Sequence, residues 1–216
     1  MESIVENPEH APGDFACPNA FGRVYLYSME EILGRSGLNA VLNRAGLNDL
    51  IEHYPLENLD KEVPYRVFSQ ISAALEGVYG VRGGRGLSLR AGRVAFNRNL
   101  RAFGEQLGVD DQAFRLLPVP QKISQGLQAL AALYNQLTDQ QVGLEEDESS
   151  FYWVVRPCPL CWGRQSPDPV CHYLVGMLQE ALYWLSGGKF YLVTEIDCIA
   201  KSDPVDRIQI DKRALD

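Results

Sequence analysis

The chain has 216 residues, 46% hydrophobic and 22% charged, and its 20 Lys and Arg against 28 Asp and Glu leave a formal net charge of −8. This supplies one well-buried core, and the acidic balance argues against a general nucleic-acid binder or a polybasic membrane-surface protein, both of which need a dominant basic footprint. No stretch approaches the roughly 18 uncharged apolar residues of a membrane span, and the start Met1-Glu2-Ser3-Ile4-Val5 lacks a secretory signal, so the expectation is a soluble, cytoplasmic protein.

Residues 1–17, rich in Pro, Glu and Asp, read as a flexible lead-in to a single domain over 18–216. From 21 to about 43, Val24, Leu26, Tyr27, Ile32, Leu33, Leu38, Val41 and Leu42 recur at helical spacing, and Gly34 and Gly37 break the run into two short helices. A turn-helix segment over 47–60 follows. Val67, Ile71, Ala74, Leu75 and Val78 then mark an amphipathic helix ended by Gly80. The stretch over 80–93 is glycine-rich, and Arg82, Arg85, Arg90, Arg93, Arg98 and Arg101 lie between Glu76 and Glu105 with no carboxylate among them. It reads as a solvated loop followed by an arginine-bearing helix face. The minority reading, an anion or partner patch, requires those arginines to converge in space.

A helix over 119–137 carries Ile123, Leu127, Leu130, Tyr134 and Leu137 on one face. The period then changes to that of strands. Segments 140–146 and 150–156 form a hairpin around Asp147-Glu148-Ser149, the second strand apolar on both faces. A Cys/Trp/Pro loop over 158–169 leads into an amphipathic helix over 169–185, closed by Gly187-Gly188. Strands over 189–196 and 206–210 complete the order. The fold class is α+β: a helical N-terminal half plus an antiparallel β-sheet made of two hairpins separated by a long helix.

Five cysteines, Cys17, Cys158, Cys161, Cys171 and Cys198, make a poor disulfide framework. Any one alone reads first as a small buried hydrophobe. Together with Glu195 and Asp206, the last four suggest a metal site. Zn²⁺ takes four ligands from thiolate, imidazole and carboxylate, and the Cys158-Pro159-Leu160-Cys161 knuckle lets two thiolates reach one ion from a tight turn. Cys171 falls in the first turn of the helix, where free N–H groups and the dipole lower a thiol pKa. Glu195 and Cys198 share one side only if the chain turns there, which the run Lys201-Ser202-Asp203-Pro204 favours. Thiol redox pairing is the weaker reading, because the knuckle does not open a helix after a strand. His172 points about 100° away from Cys171 on a helix and reads as a surface or supporting residue.

The run Cys171-His-Tyr-Leu-Val-Gly176, the helix closed by Gly187, the strand ending Glu195-Ile-Asp-Cys198, and Asp206 beyond it resemble the signature of the 4-vinyl reductase domain family. The upstream Gly80-Val-Arg-Gly-Gly-Arg-Gly86 and the helical N-terminal half are also similar to family members. The resemblance implies a fold shared with the Bet-type subunits of TRAPP vesicle-tethering complexes and a homodimer formed through helices. It also implies kinship with tetrapyrrole-handling proteins known as bacteriochlorophyll 4-vinyl reductases, and with aromatic-sensing input domains of bacterial transcription activators. In those sensors a Cys, a Glu-x-x-Cys pair and a later Cys hold zinc beside a pocket for a small aromatic. Cys171, Glu195 and Cys198 match this pattern; Asp206 stands where the family has Cys, and Ser202 where it has Gly. The knuckle can replace the lost thiolate, so the resemblance leads to a structural zinc held by Cys158, Cys161, Cys171 and Cys198, with Glu195 and Asp206 as weaker candidates.

Trp153, Trp162, Tyr173 and Trp184, with Tyr191, are the candidates for lining a ligand pocket; Trp184 and Tyr191 read first as ordinary core, whereas Trp153 and Trp162 flank the cysteine loop and are better placed for ligand contact. No catalytic residues are expected: His10, His53 and His172 are scattered, and no flavin or nicotinamide fingerprint supports a reductase. The expected function is binding of an aromatic hydrocarbon or tetrapyrrole-like molecule, as sensor or carrier. The alternatives are an auxiliary enzyme of (bacterio)chlorophyll biosynthesis and a dimeric scaffold with a sealed core.

Overall fold

In the computed structural model, which describes residues 15–104, 106–108 and 111–215, the chain enters through a short strand, β1 (Ala16–Pro18), and runs into α1 (Asn19–Ala45). It turns through α2 (Asp49–Glu52) and returns as β2 (Lys61–Pro64), which pairs antiparallel with β1, before α3 (Tyr65–Phe103) begins. The lead-in expected over 1–17 lies outside the described residues up to position 14, while Ala16 and Cys17 belong to β1 and Cys17 is buried. Both strands are short, lack an alternating run and end in proline, so propensity does not announce them.

α1 and α3 are each broken at one glycine with positive φ and extended ψ, a backbone region reserved for glycine: Gly34 (70°, 164°) and Gly80 (74°, 159°). At Gly80 the break is a reversal. A Cβ placed on Gly84 would lie 2.8 Å from Glu76 Cα, whereas residues eight apart on a straight helix are separated by about 12 Å. The two halves of α3 therefore fold against each other. Gly80→Ala should cost about 1–3 kcal/mol through backbone strain, read as a shift in the urea midpoint; an unchanged midpoint would count against the elbow.

Beyond α3 come α4 (Gln112–Arg115), α5 (Val119–Leu137), the hairpin β3 (Gln141–Glu146) and β4 (Ser150–Arg156), α6 (His172–Ser186), and the hairpin β5 (Phe190–Asp197) and β6 (Asp206–Leu215). The sheet order is β3-β4-β6-β5, antiparallel throughout. The α+β class, the two hairpins and the helix between them are as the periodicity implies. Phe151, Trp153 and Val155 of β4, Ile208 and Ile210 of β6, and Val193 of β5 are buried, and α6 packs against α3, α5 and β5. Among the described residues no helix is long and apolar enough to cross a membrane.

The glycine-rich stretch expected as a solvated loop is helical from Val81 onward. Two of its glycines serve helix packing instead: Gly84 makes the approach to Glu76 given above, and a Cβ on Gly92 would fall 1.9 Å from the Tyr173 carbonyl oxygen of α6. Three of the nearby arginines are each engaged by a different partner. Arg85 pairs with Asp168 at 2.8 Å, Arg98 with Glu31 at 2.7 Å, and Arg93 donates to Gln179 at 2.7 Å.

The β3–β4 turn is held by Asp147, whose carboxylate accepts from the Ser149 and Ser150 N–H groups, both at 2.8 Å, and from the Tyr152 hydroxyl at 2.7 Å. Those bonds, the one from Tyr152 foremost, lower its pKa from 3.8 to about 2. The native state therefore binds fewer protons here than the unfolded state. The stabilisation is fully present above the ordinary carboxyl value and is lost as pH falls through about 2. Asp147→Asn should remove this part of the acid dependence between pH 3.8 and about 2, measured as the difference in urea midpoints across that window; an identical pH slope in the variant would refute the assignment.

Candidate functional site: a buried thiol–carboxyl cluster beside an apolar cavity

β4 ends at Arg156, and after a cis Arg156–Pro157 bond the chain enters the loop that carries Cys158 and Cys161. Arg164 fastens this loop to α3 by donating to Glu76 at 2.8 Å, with 12% and 19% of the two side chains exposed. Ser166 N–H donates to the Ala200 carbonyl at 2.9 Å, in the short 3-10 turn Ile199–Lys201 after β5. The loop, the start of α6, the end of β5 and the start of β6 thus meet at one point.

All six metal-ligand candidates are brought together there. Cys158, Cys161, Cys171, Cys198 and Asp206 are at most 1% exposed, and Glu195 is 8% exposed. The Cys158 and Cys171 sulfurs are 3.6 Å apart. Asp206 Oδ2 lies 3.2 Å from Cys161 Sγ and 3.7 Å from Cys171 Sγ, and Asp206 Oδ1 accepts from Ile199 N–H at 2.7 Å. Glu195 Oε2 accepts from Cys171 N–H at 2.8 Å, while its Oε1 is buried without a hydrogen-bond partner. The turn needed to bring Cys198 round is closed by Asp203, which accepts from Cys198 N–H at 2.8 Å. The donors form two quartets, each within 4.8 Å: Cys158, Cys161, Cys171 and Asp206, and Cys171, Glu195, Cys198 and Asp206. His172 belongs to neither quartet.

The cluster shares its protons unevenly. Burial, reinforced by the Cys158 thiolate, pushes the Asp206 carboxyl up to about 11, and burial beside Cys198 pushes Glu195 up to about 9. Hydrogen bonds from Cys161 and Cys171 hold the Cys198 thiol far down. Burial opposes ionisation of Cys158, yet hydrogen bonds from Cys161, Cys171 and Asp206 hold it low as well. Cys161 is pushed up by its bond to Cys158, and Cys171 by burial. Burial thus disfavours charge on these donors, and hydrogen bonds from neighbouring donors are what favour it on Cys158 and Cys198.

Against this cluster lies a cavity of about 60 Å³, walled by Phe21 and Tyr25 of α1, Phe68 and Asn99 of α3, Tyr134 of α5, Tyr173 and Met177 of α6, and Cys158 and Leu160 of the loop. The Tyr25 ring packs on Tyr173 at 4.6 Å and on Phe68 at 5.0 Å. The tyrosine hydroxyls are engaged within the protein: Tyr25 with Ser72 at 3.1 Å, Tyr173 with Ser28 at 3.0 Å, and Tyr134 with Met177 Sδ at 3.0 Å. Asn99 differs, since its Oδ1 is buried without a partner.

Of the aromatics expected at a pocket, Tyr173 lines this cavity. Trp153 sits in the core, edge-on to Tyr134 at 6.2 Å. Trp162 packs edge-on to Phe15 and Tyr65, Trp184 is 38% exposed on α6 beside Phe96, and Tyr191 is buried in β5. Sequence reading missed Tyr25, Phe68, Asn99 and Tyr134. The three aromatics follow the same helical pattern as core residues, and only Asn99, a polar residue on a buried helix face, carried a separate signal.

The chain matches no family model and no curated protein. Solved structures do match it over most of its length. A T. tengcongensis H-NOX mutant aligns with a TM-score of 0.57 at 11% identity, over 92% of this chain and 100% of that chain. An H-NOX structure concerned with heme distortion aligns with a TM-score of 0.56 at 12% identity, over 92% and 97%. The phenol-responsive sensory domain of the transcription activator PoxR, with phenol, aligns with a TM-score of 0.51 at 15% identity, over 72% and 78%. At these identities the shared property is the fold. The chain has an H-NOX-like α+β fold, also found in the PoxR sensory domain.

These neighbours overturn the structural zinc expected from the resemblance, because the prosthetic group named for H-NOX structures is heme. Heme does not fit this chain either. The cavity of about 60 Å³ is lined by no histidine and no charged side chain. Sites for drug-sized ligands take about 300–1,000 Å³, so a porphyrin has neither the room nor a partner for its carboxylates.

Proposed function

We propose that this chain is a sensor-type binding domain for a small, one-ring, largely apolar aromatic molecule bearing a hydrogen-bond donor. The observation that carries the reading is the aromatic-walled cavity with Asn99 Oδ1 unpartnered at its wall. A buried acceptor left unsatisfied costs about 1–3 kcal/mol, which a ligand hydroxyl would recover. The similarity to the PoxR sensory domain, whose structure holds phenol, supports the reading, as does the residue pattern resembling the 4-vinyl reductase family. The tetrapyrrole branch of that family fails on cavity size. An apolar cavity of about 150 Å³ accepts benzene, so a ring here requires its walls to give way. Met177 is suited to this, being unbranched and adaptable.

Calorimetric titration with phenol and with toluene tests the proposal. Phenol should bind more tightly than toluene, and Asn99→Leu should weaken phenol about tenfold while sparing toluene. Absence of binding by both at millimolar concentration would sink the reading. The resemblance also supports a homodimer as the working unit. Sedimentation equilibrium would read the association, and a monomer at every concentration would remove that part.

A further inference from the structure

We infer that two copies of this chain associate edge to edge along β5, antiparallel about a two-fold axis at Val193, so that their four-stranded sheets join into one. The inference rests on the homodimer of the proposed function. It gives that dimer its surface, on the sheet rather than on the helices that the resemblance implies.

The two edges of the sheet differ in chemistry. β3 forms one edge, and its exposed positions are Gln141, Gly143, Glu145 and Glu146, with the two glutamates paired to Arg207 and Lys212. Charge of this kind keeps an edge from adding further strands. β5 forms the other edge, and among the described residues its backbone bonds to β6 alone. Tyr191, Val193 and Glu195 are buried, while Phe190, Leu192 and Ile196 are 37–54% exposed. Leu215, the cross-strand neighbour of Phe190 on β6, is exposed as well, and the ring of Tyr183 lies 5.0 Å from that of Phe190. An eight-residue strand with an apolar outer row and unpaired N–H and C=O groups along one side is a template for another strand.

The partner is a second copy because the strand complements itself. Residues directly opposite one another in an antiparallel pair share a face, so a two-fold axis that matches faces passes through a residue, not between two. With the axis at Val193, Phe190 meets the partner's Ile196 and Leu192 meets the partner's Thr194. The same axis sets Lys189 opposite the partner's Asp197, once at each end of the junction. Lys189 is exposed and makes no ion pair among the described residues. Asp197 lies 3.4 Å from Arg207, and 41% of its side chain is still exposed. Moving the axis one step, to Leu192 or to Thr194, loses the charge pairs and leaves Ile196 or Phe190 beyond the end of the opposing strand.

The test uses the whole chain. Sedimentation equilibrium should give a dimer that Leu192→Lys weakens at least about thirtyfold, since the change counts twice across the axis. The far-UV circular dichroism of that variant should match the wild type. Lys189→Glu sets carboxylates against each other at both ends and should weaken the dimer about tenfold, a loss that about 0.5 M salt should largely remove. Thr194→Cys offers a nitroxide label an exposed site, the five native cysteines being buried. In the paired register the two labelled positions are diagonal neighbours, about 7–8 Å apart. The EPR lines should therefore broaden in the dimer and sharpen when Leu192→Lys is added. A wild-type monomer at every concentration would overturn both the homodimer and this inference, and would leave the edge to an extended segment of another protein. A dimer that Leu192→Lys leaves intact, or one whose labels give unbroadened lines, would overturn pairing through β5 while the homodimer stands.

Discussion

Gly176→Ala should destabilise the protein by about 3 kcal/mol or more, at the upper end of what overpacking a core does. The added Cβ would lie 2.0 Å from the Leu89 carbonyl oxygen and 2.8 Å from its carbon. Both are backbone atoms, so no rotamer change relieves the clash. Gly92 makes the reciprocal approach, with its Cβ position 1.9 Å from the Tyr173 oxygen. The helices α3 and α6 therefore touch backbone to backbone at two adjacent points, and a methyl group at either point forces them apart. Separation would also disturb Tyr173 and Met177, the α6 residues flanking Gly176 that wall the cavity. Urea denaturation reads the loss directly, and a midpoint within error of wild type would refute the contact. The double variant Gly92→Ala/Gly176→Ala should cost less than the sum of the single changes, because one displacement relieves both clashes.

Trp153→Ala should cost about 3–5 kcal/mol, the range for emptying a buried aromatic site. Trp153 is 1% exposed on β4, a strand paired on both sides, opposite Leu144 of β3 and Ile208 of β6. Its indole Nε1 has no hydrogen-bond partner, so the loss is one of packing and cavity formation rather than of a polar contact. This separates a core role from a ligand-contacting one. Trp153→Phe should recover much of the stability and leave phenol affinity unchanged. A variant that folds with wild-type stability but loses phenol would reverse the assignment.

The parts of the fold that were legible in the sequence are those where one physical pattern dominates. α5 and β4 occupy the expected residues because a four-and-three apolar repeat and a short two-sided apolar run are hard to read otherwise. The donor cluster was legible for a different reason: cysteines are rare, and a two-residue knuckle followed by a Glu-x-x-Cys pair has few other uses. The glycine-rich half of α3 was not legible, because local propensity places glycine in loops. Its helical state rests on the approach to α6, which lies some eighty positions away in the chain. The cavity was hidden as well. Tyr25, Phe68 and Tyr134 look like any apolar helix face, and the two tryptophans near the cysteine loop face elsewhere, Trp153 into the core from its strand and Trp162 onto Phe15 and Tyr65. Nearness in sequence to Cys158 was a poor guide, since a strand alternates its faces and Trp153 shares the inner one.

Cys158 belongs at once to the cavity wall and to the first donor quartet. The cavity and the cluster are therefore coupled through one sulfur. Any molecule that displaces Cys158 from the cavity side alters its 3.6 Å spacing to Cys171 and the hydrogen bonds that hold its thiol low. By whatever factor such a guest changes the cluster's affinity for protons, the protons change the affinity for the guest by that same factor. A single thiol at a shared partition is thus enough to make the filling of a cavity answer to the charge of the cluster behind it.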